Sequence, residues 1–292
     1  MRKAVLYACL AAFGAYVAAG AALWAGQTRL IFEPMRSLVV KPAELAFPVA
    51  EVMIPVRTAS AEAQMLHAWW MPVARADAKV ILYFHGNDGN VSTSIGATAL
   101  LRELGYAVLV VDYRGYGESD GVFPNEATVY EDAEAALAAL VERWQVRPRD
   151  VYVYGHSLGA AVAIDLAAKH PELGGLIVES GFTSIYDMAR LESKYEIYPV
   201  SLLLNQRFES IKKVSQLALP VLYIHGTADR VVPYSMGVAL FEQSGGFKRF
   251  VAVPGGGHEN NAAVAPAALR AAITELTQAG RPVELADFTP AP

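Results

Sequence analysis

Cysteine is nearly absent: the 292 residues hold one, Cys9. No intramolecular disulfide can form, and the paired-cysteine motifs that bind zinc or carry redox chemistry are excluded. Charge is sparse as well, at 18% of residues, with a formal net charge of −5. No cluster of lysine and arginine marks a basic face, so a nucleic-acid partner is not expected. Disorder requires low hydrophobicity and high net charge, and 54% of this chain is hydrophobic. No internal repeat is present. At about 150 residues per domain the length would suggest two domains, but single α/β domains of this size are common. Nothing in the sequence sets an oligomeric state.

The mean hydropathy of +0.28 is high for a soluble enzyme, and the excess lies at the N-terminus. Arg2 and Lys3 precede a run from Ala4 to Gly26 without a charged side chain, and the next charge is Arg29. As a helix this run spans about 34 Å, enough for a hydrocarbon core of roughly 30 Å. Trp24 and Arg29 suit an interface anchor. We expect residues 1–28 to form an uncleaved signal anchor. The alternatives are a cleaved signal peptide, with Ala19-Gly20-Ala21 as the small-residue site, and a helix buried in the globular domain. Leu6-Tyr7-Ala8-Cys9 is no lipoprotein box, because it sits too near Lys3 and the apolar run continues past it. Arg2, Lys3 and the α-amine outweigh Arg29 and Arg36, which favours the N-terminus in the cytoplasm and the rest of the chain outside it. A cleaved signal would instead leave a periplasmic or secreted protein.

Beyond the anchor, short apolar strands alternate with helices. Strands are expected over residues 49–56, 65–71, 80–84, 107–111, 151–154, 176–178, 221–224 and 250–253. Helices are expected over 95–104, 128–144 and 157–169. The pattern predicts one domain over 29–279, a mostly parallel eight-stranded sheet with helices on both faces. Residues 181–213 break the alternation and carry Tyr186, Tyr195, Tyr198 and Leu202-Leu203-Leu204. They read as a small lid, or else as an ordinary crossover helix with ragged ends. Residues 280–292 hold three prolines and read as a flexible tail.

The chemistry is concentrated in four loops. Gly155-His156-Ser157-Leu158-Gly159 fits Gly-x-Ser-x-Gly. Between a strand and a helix this motif makes a sharp, strained turn that lifts the serine hydroxyl above the sheet. The positive end of the helix dipole adds to the site. Gly155 and Gly159 would let strand and helix approach closely. A serine nucleophile needs a base, and there are six histidines. His85, His156 and His225 belong to strand-end motifs, His67 lies in an early strand, and His170 closes a helix. His258 alone follows the last strand, after Gly255-Gly256-Gly257, and is the candidate base. Neutral imidazole can take the serine proton and return it to a leaving group. A plain surface-loop histidine is the alternative.

Asp229 follows the strand 221–224 and is the candidate acid that orients His258. Asp112 and Glu179, each after its own strand, are its rivals, and Asp112 fits better as a cap for the loop 113–119. An oxyanion hole needs two N–H donors. Leu158 N–H is one candidate. Asn87 N–H, in His85-Gly86-Asn87-Asp88-Gly89-Asn90, is the other, with Asp88 as its alternative. His85 and Gly86 are expected to support that loop. The chemistry requires no metal and no organic cofactor.

Taken with Arg29-Leu30-Ile31-Phe32 and Pro34, Phe84-His85-Gly86-Asn87, and Asp112-Tyr113-Arg114-Gly115-Tyr116-Gly117, these motifs carry a resemblance. It continues through Glu179-Ser180 with Phe182-Thr183-Ser184, Arg207-Phe208 before Ser210, and His225-Gly226 with Asp229 and Val232-Pro233. The chain resembles the α/β-hydrolase superfamily over roughly residues 29–275. Within it, the chain is similar to the membrane-anchored group that includes the α/β-hydrolase-domain depalmitoylases, often labelled serine-aminopeptidase-like hydrolases. The order Ser157, Asp229, His258 is that superfamily's order. The resemblance implies the α/β-hydrolase fold and a serine hydrolase acting on an acyl ester or thioester. The eukaryotic depalmitoylases have a cysteine-rich N-terminus, which this chain lacks. A peptidase would need an acidic pocket for a substrate amine. Glu192 and Glu196 are candidates for it, though a solvated helix face explains them more simply. A non-catalytic binding module is a third reading, although all three triad members are present, and a dehalogenase is excluded by Ser157.

Overall fold

The strands that are buried at every position lie at the centre of the sheet. In the computed structural model, which describes residues 1–56, 63–75 and 77–278, these are β3 (Val80–Phe84), β4 (Ala107–Val111), β5 (Val151–His156), β6 (Gly175–Glu179) and β7 (Val221–Gly226). Each is buried along its whole length. The remaining strands are β1 (Ala50–Val56), β2 (Gln64–Met71) and β8 (Lys248–Val253). At the edge, β1 alternates buried Val52, Ile54 and Val56 with exposed neighbours. It also carries Pro55, whose missing N–H an edge strand tolerates. The expected tail, 280–292, lies outside the described residues.

The eight strands are ordered β8-β7-β6-β5-β3-β4-β2-β1. β2 pairs antiparallel with β1 and β4, and all other neighbours are parallel. Parallel strands need a crossover, and the helices supply it. The helices, of which α1 precedes the sheet and α9 and α10 follow its last strand, are α1 (Arg2–Ile31), α2 (Ile95–Glu103), α3 (Glu126–Glu142), α4 (Leu158–Lys169), α5 (Ile185–Arg190), α6 (Val200–Leu203), α7 (Ser210–Lys213), α8 (Tyr234–Gln243), α9 (Asn261–Val264) and α10 (Pro266–Gln278). The two faces of β3 show the layering. Val80, Leu82 and Phe84 pack in one core with α3, α4 and α8. Ile81 and Tyr83 point the other way, to a core shared with Leu101 of α2 and Leu269 and Ile273 of α10. Burying one such side chain stabilises the fold by about 1.5–3 kcal/mol. α4 is the central helix, with ten of its residues buried, which explains its run of alanines.

Two segments lie outside the alternation of strands and helices. α1 runs three residues past position 28, to Ile31, and its C-terminal end packs on the protein. Glu33–Pro34 then pairs in parallel with Asp88–Gly89, tying the chain after α1 to the loop after β3. The segment between β6 and β7 folds into α5, α6 and α7 with 3₁₀ turns at Ser193–Tyr195 and Val214–Gln216, not into one crossover helix.

Candidate active site

Ser157 is the single residue between β5 and α4. Its backbone lies at φ 55°, ψ −117°, a conformation that side chains rarely adopt and that costs about 1–3 kcal/mol. The surroundings hold it there: Ser157 N–H donates to Glu179 O at 3.0 Å, and Ala160 N–H donates to Ser157 O at 3.0 Å. The flanking glycines are sterically required. A Cβ on Gly155 would stand 2.1 Å from Gly159 O, and a Cβ on Gly159 would stand 2.1 Å from Phe84 O. Strand, helix and neighbouring strand cross there with no space for a side chain.

His258 sits in the loop after β8 and Asp229 in the loop after β7. The two loops are stitched together: Ala228 N–H donates to Gly256 O at 2.9 Å, and Gly255 N–H to Thr227 Oγ1 at 3.0 Å. His258 O accepts from His156 Nε2 at 2.9 Å and from Ser180 Oγ at 3.2 Å, which fixes the imidazole from below. The side chains then form one chain of contacts. Ser157 Oγ lies 2.9 Å from His258 Nε2, and His258 Nδ1 lies 2.8 Å from Asp229 Oδ2. A carboxylate only accepts, so Nδ1 carries the proton, and Nε2 is left as acceptor for the Ser157 hydroxyl.

Asp229 is bonded on both oxygens. Its Oδ1 accepts from Val231 N–H at 2.8 Å and Val232 N–H at 2.9 Å. His225 Nε2 donates to Val232 O at 3.0 Å and lies 3.4 Å from Asp229 Oδ2. Burial pushes this carboxyl up, but the contacts from His225, His258 and Val232 outweigh it, and its pKa is held well below the usual carboxylate range. Around His156, burial lowers the pKa, while the charges of Glu179, Glu259 and Asp229 and the hydrogen bond to His258 O together raise it by more. The role of His225 was not read from the sequence. Its signal is the four-residue spacing in His225-Gly226-Thr227-Ala228-Asp229.

The rival acids are engaged elsewhere. Asp112 is fully buried and binds Val91 N–H and His67 Nδ1, both at 2.8 Å, with His85 Nε2 at 3.6 Å. It braces the loop 85–91 against β2. Glu179 accepts from Tyr154 Oη at 2.6 Å and from Asn261 Nδ2 at 3.1 Å. His85 is buried and turned to Gly86 O at 2.9 Å, away from Ser157. Gly86 passes beside Ser157, where a Cβ would stand 3.5 Å from Ser157 Cβ. Asn87 is anchored on three sides. Its O accepts from Glu33 N–H at 2.8 Å and Tyr116 Oη at 2.5 Å, and its Nδ2 donates to Ile31 O at 3.0 Å.

Asn87, Ser157 and Leu158 line one pocket of about 350 Å³. Its walls are mainly apolar: Phe182, Ile185, Met188, Leu203, Leu204 and Val232, with Leu23, Leu30 and Ile31 from α1. Glu192 lines it too, but its half-exposed carboxylate pairs with Lys194 at 3.1 Å, and Glu196 is not among the lining residues. Among the described residues, two groups have donor atoms close enough together for a metal ion, Glu51 with His67 and Glu118, and His156 with His258 and Glu259. In the second, both ring nitrogens of His258 already have partners.

The family described as serine aminopeptidase S33 matches residues 75–212, which include Ser157 but neither Asp229 nor His258. The uncharacterised protein Rv2307c of Mycobacterium tuberculosis is 32% identical over 239 residues, covering 82% of each chain. The human α/β-hydrolase domain-containing protein 17B is 36% identical over 181 residues, 62% of this chain and 60% of that one. Among solved structures, an esterase of Pyrococcus furiosus superposes with a TM-score of 0.67 at 18% identity, over 85% of this chain and 97% of the other. The sheet order, the turn at Ser157 and these likenesses have one meaning: the chain belongs to the α/β-hydrolase superfamily.

Proposed function

We propose that the protein is a serine hydrolase that cleaves carboxylic esters or thioesters through an acyl-enzyme, with Ser157, His258 and Asp229 as its triad. One observation carries this reading: the unbroken contact chain from Ser157 Oγ through the imidazole of His258 to Asp229. Esterases among the solved relatives support the reaction class.

In the first half-reaction Ser157 Oγ attacks the acyl carbon as its proton passes to His258 Nε2. The carbonyl electrons move onto oxygen, and the Asn87 and Leu158 amides hold the oxyanion. Leu158 opens α4, so its N–H has no helical partner to compete for it. Collapse expels the alcohol or thiol, which takes the proton from His258. Water then gives a proton to His258 and attacks the acyl-serine. The second collapse releases the carboxylic acid and returns the proton to Ser157. Asp229, kept ionised by its contacts, stabilises the imidazolium in both halves. The α5–α7 segment serves as a small lid over Ser157, and α1 as a membrane anchor that leaves the catalytic domain outside the cytoplasm.

A fluorophosphonate probe tests the nucleophile. Wild-type protein is labelled and hydrolyses p-nitrophenyl esters, whereas Ser157→Ala takes no label and loses about 10⁶-fold in kcat. A labelled Ser157→Ala variant with near-normal turnover rejects the assignment.

A further inference from the structure

The N-terminal helix does more than lie beside the catalytic domain. Near its C-terminal end, Gln27 is 6% exposed and engages the turn after α6. Gln27 Nε2 donates to Leu203 O at 2.6 Å, and Gln27 Oε1 accepts from Asn205 N–H at 2.9 Å. One turn earlier, Trp24 O accepts from Asn205 Nδ2 at 3.2 Å. Higher still, Tyr16 Oη donates to Ile197 O at 2.8 Å, and its ring stacks on Tyr198 with centroids 4.9 Å apart. Gly20, buried between these contacts, leaves a flat seat for Tyr198. Positions 16, 20, 24 and 27 recur at helical spacing, so one face of α1 carries the lid along about 17 Å of its length.

This face also closes the pocket over Ser157, because Leu23, Gln27, Leu30 and Ile31 line it opposite Met188 and Leu203. Between Lys3 and Gln27 the rest of α1 is apolar and mostly exposed, and beside it the lid exposes Ile197 (67%) and Leu202 (80%). Such large side chains left uncovered next to an apolar helix need an apolar medium.

We propose that α1 is a working wall of the substrate site, and that the site takes the long acyl chain of a membrane-resident ester, which slides in from the bilayer between α1 and the lid. Gln27 is the positioning residue: it sets the lid at the width of one chain, and Leu23 contacts that chain. A volume of about 350 Å³ is at the lower end for ligand pockets and suits one acyl chain, not a whole lipid. The inference rests on the serine-hydrolase and membrane-anchor readings given above. It carries a consequence for truncation: removing residues 1–28 removes Leu23 and Gln27, and with them part of the site.

The test uses the full chain reconstituted in phosphatidylcholine vesicles, with hexadecanoyl and acetyl p-nitrophenyl esters as substrates. The readout is the ratio of kcat/KM for the long ester to that for the short one. Gln27→Leu leaves the part-buried Leu203 O and Asn205 N–H without their Gln27 partners, and lowers this ratio about tenfold. Leu23→Trp, which fills the pocket from the helix side, lowers it at least as much. Leu10→Trp makes the same kind of enlargement at an exposed site, thirteen residues earlier and about 220° round the helix, and leaves the ratio unchanged. A ratio within twofold of wild type in both Gln27→Leu and Leu23→Trp overturns the inference, and wild-type labelling by fluorophosphonate then keeps the hydrolase reading intact. Wild-type protein that neither labels nor turns over acetyl ester overturns that reading, and the inference with it.

Discussion

Replacing Asp229 with Asn tests the electrostatic logic of the triad at constant shape. An amide could in principle turn its oxygen towards His258, but the main chain forbids this. Val231 N–H and Val232 N–H both point at Oδ1, at 2.8 and 2.9 Å, and require an acceptor there. The amide oxygen therefore takes the Oδ1 position, and the NH₂ group faces His258 Nδ1. Nδ1 must then accept, so the imidazole proton moves to Nε2. Nε2 lies 2.9 Å from Ser157 Oγ and now presents a proton where the mechanism needs a lone pair. In a triad this tautomer error costs about 10⁴-fold in kcat, equivalent to about 5 kcal/mol of transition-state stabilisation. The assay is p-nitrophenyl acetate hydrolysis at neutral pH, with thermal unfolding measured on the same sample. A folded Asp229→Asn variant with kcat within tenfold of wild type would refute the argument, because His258 would then be acting as base without its orienting carboxylate.

Two further outcomes follow from the packing and from the helix. Gly155→Ala places its Cβ against Gly159 O, Gly159 C and Ala160 Cα, all backbone atoms within 2.6 Å. It should cost about 3 kcal/mol or more, lowering Tm by about 10 °C, whereas Gly96→Ala in α2, where no atom lies within 4 Å, should leave Tm level or raise it slightly. A Gly155→Ala variant that melts with wild type contradicts the close crossing of β5 and α4. Full-length protein should stay with the membrane fraction through a high-salt wash and come off with detergent, since apolar burial is not screened by salt. A soluble product beginning near Ala22 would show instead that the N-terminus is a cleaved signal.

The parts of this protein that are legible in the sequence are those set over a few neighbouring residues. β3 and β4 are recognisable because a strand buried on both faces is apolar at every position. The turn at Ser157 is recognisable because only glycine at 155 and 159 permits the crossing. The order of Ser157, Asp229 and His258 follows from which strand each one ends, and the apolar run of α1 is plain from composition. Helices α8 and α10 were less visible, although Pro266 at the first position of α10 is a start signal. Other features depend on how the sheet folds back on itself. Asp112 and Asp229 each end a strand in the sequence. Only the stitching of the 226–229 loop to the 254–258 loop brings Asp229, and not Asp112, to His258. His225 reaches Asp229 because the loop after β7 curls back over its own strand. Gln27 reads as an ordinary polar residue near the end of an apolar helix. Its contacts lie 176 to 179 positions away in the chain, in a segment with no regular pattern of its own. Local sequence carries no record of such a pairing, because it depends on where two distant elements are set down on the sheet. The tertiary structure alone joined the N-terminal helix to the pocket over Ser157.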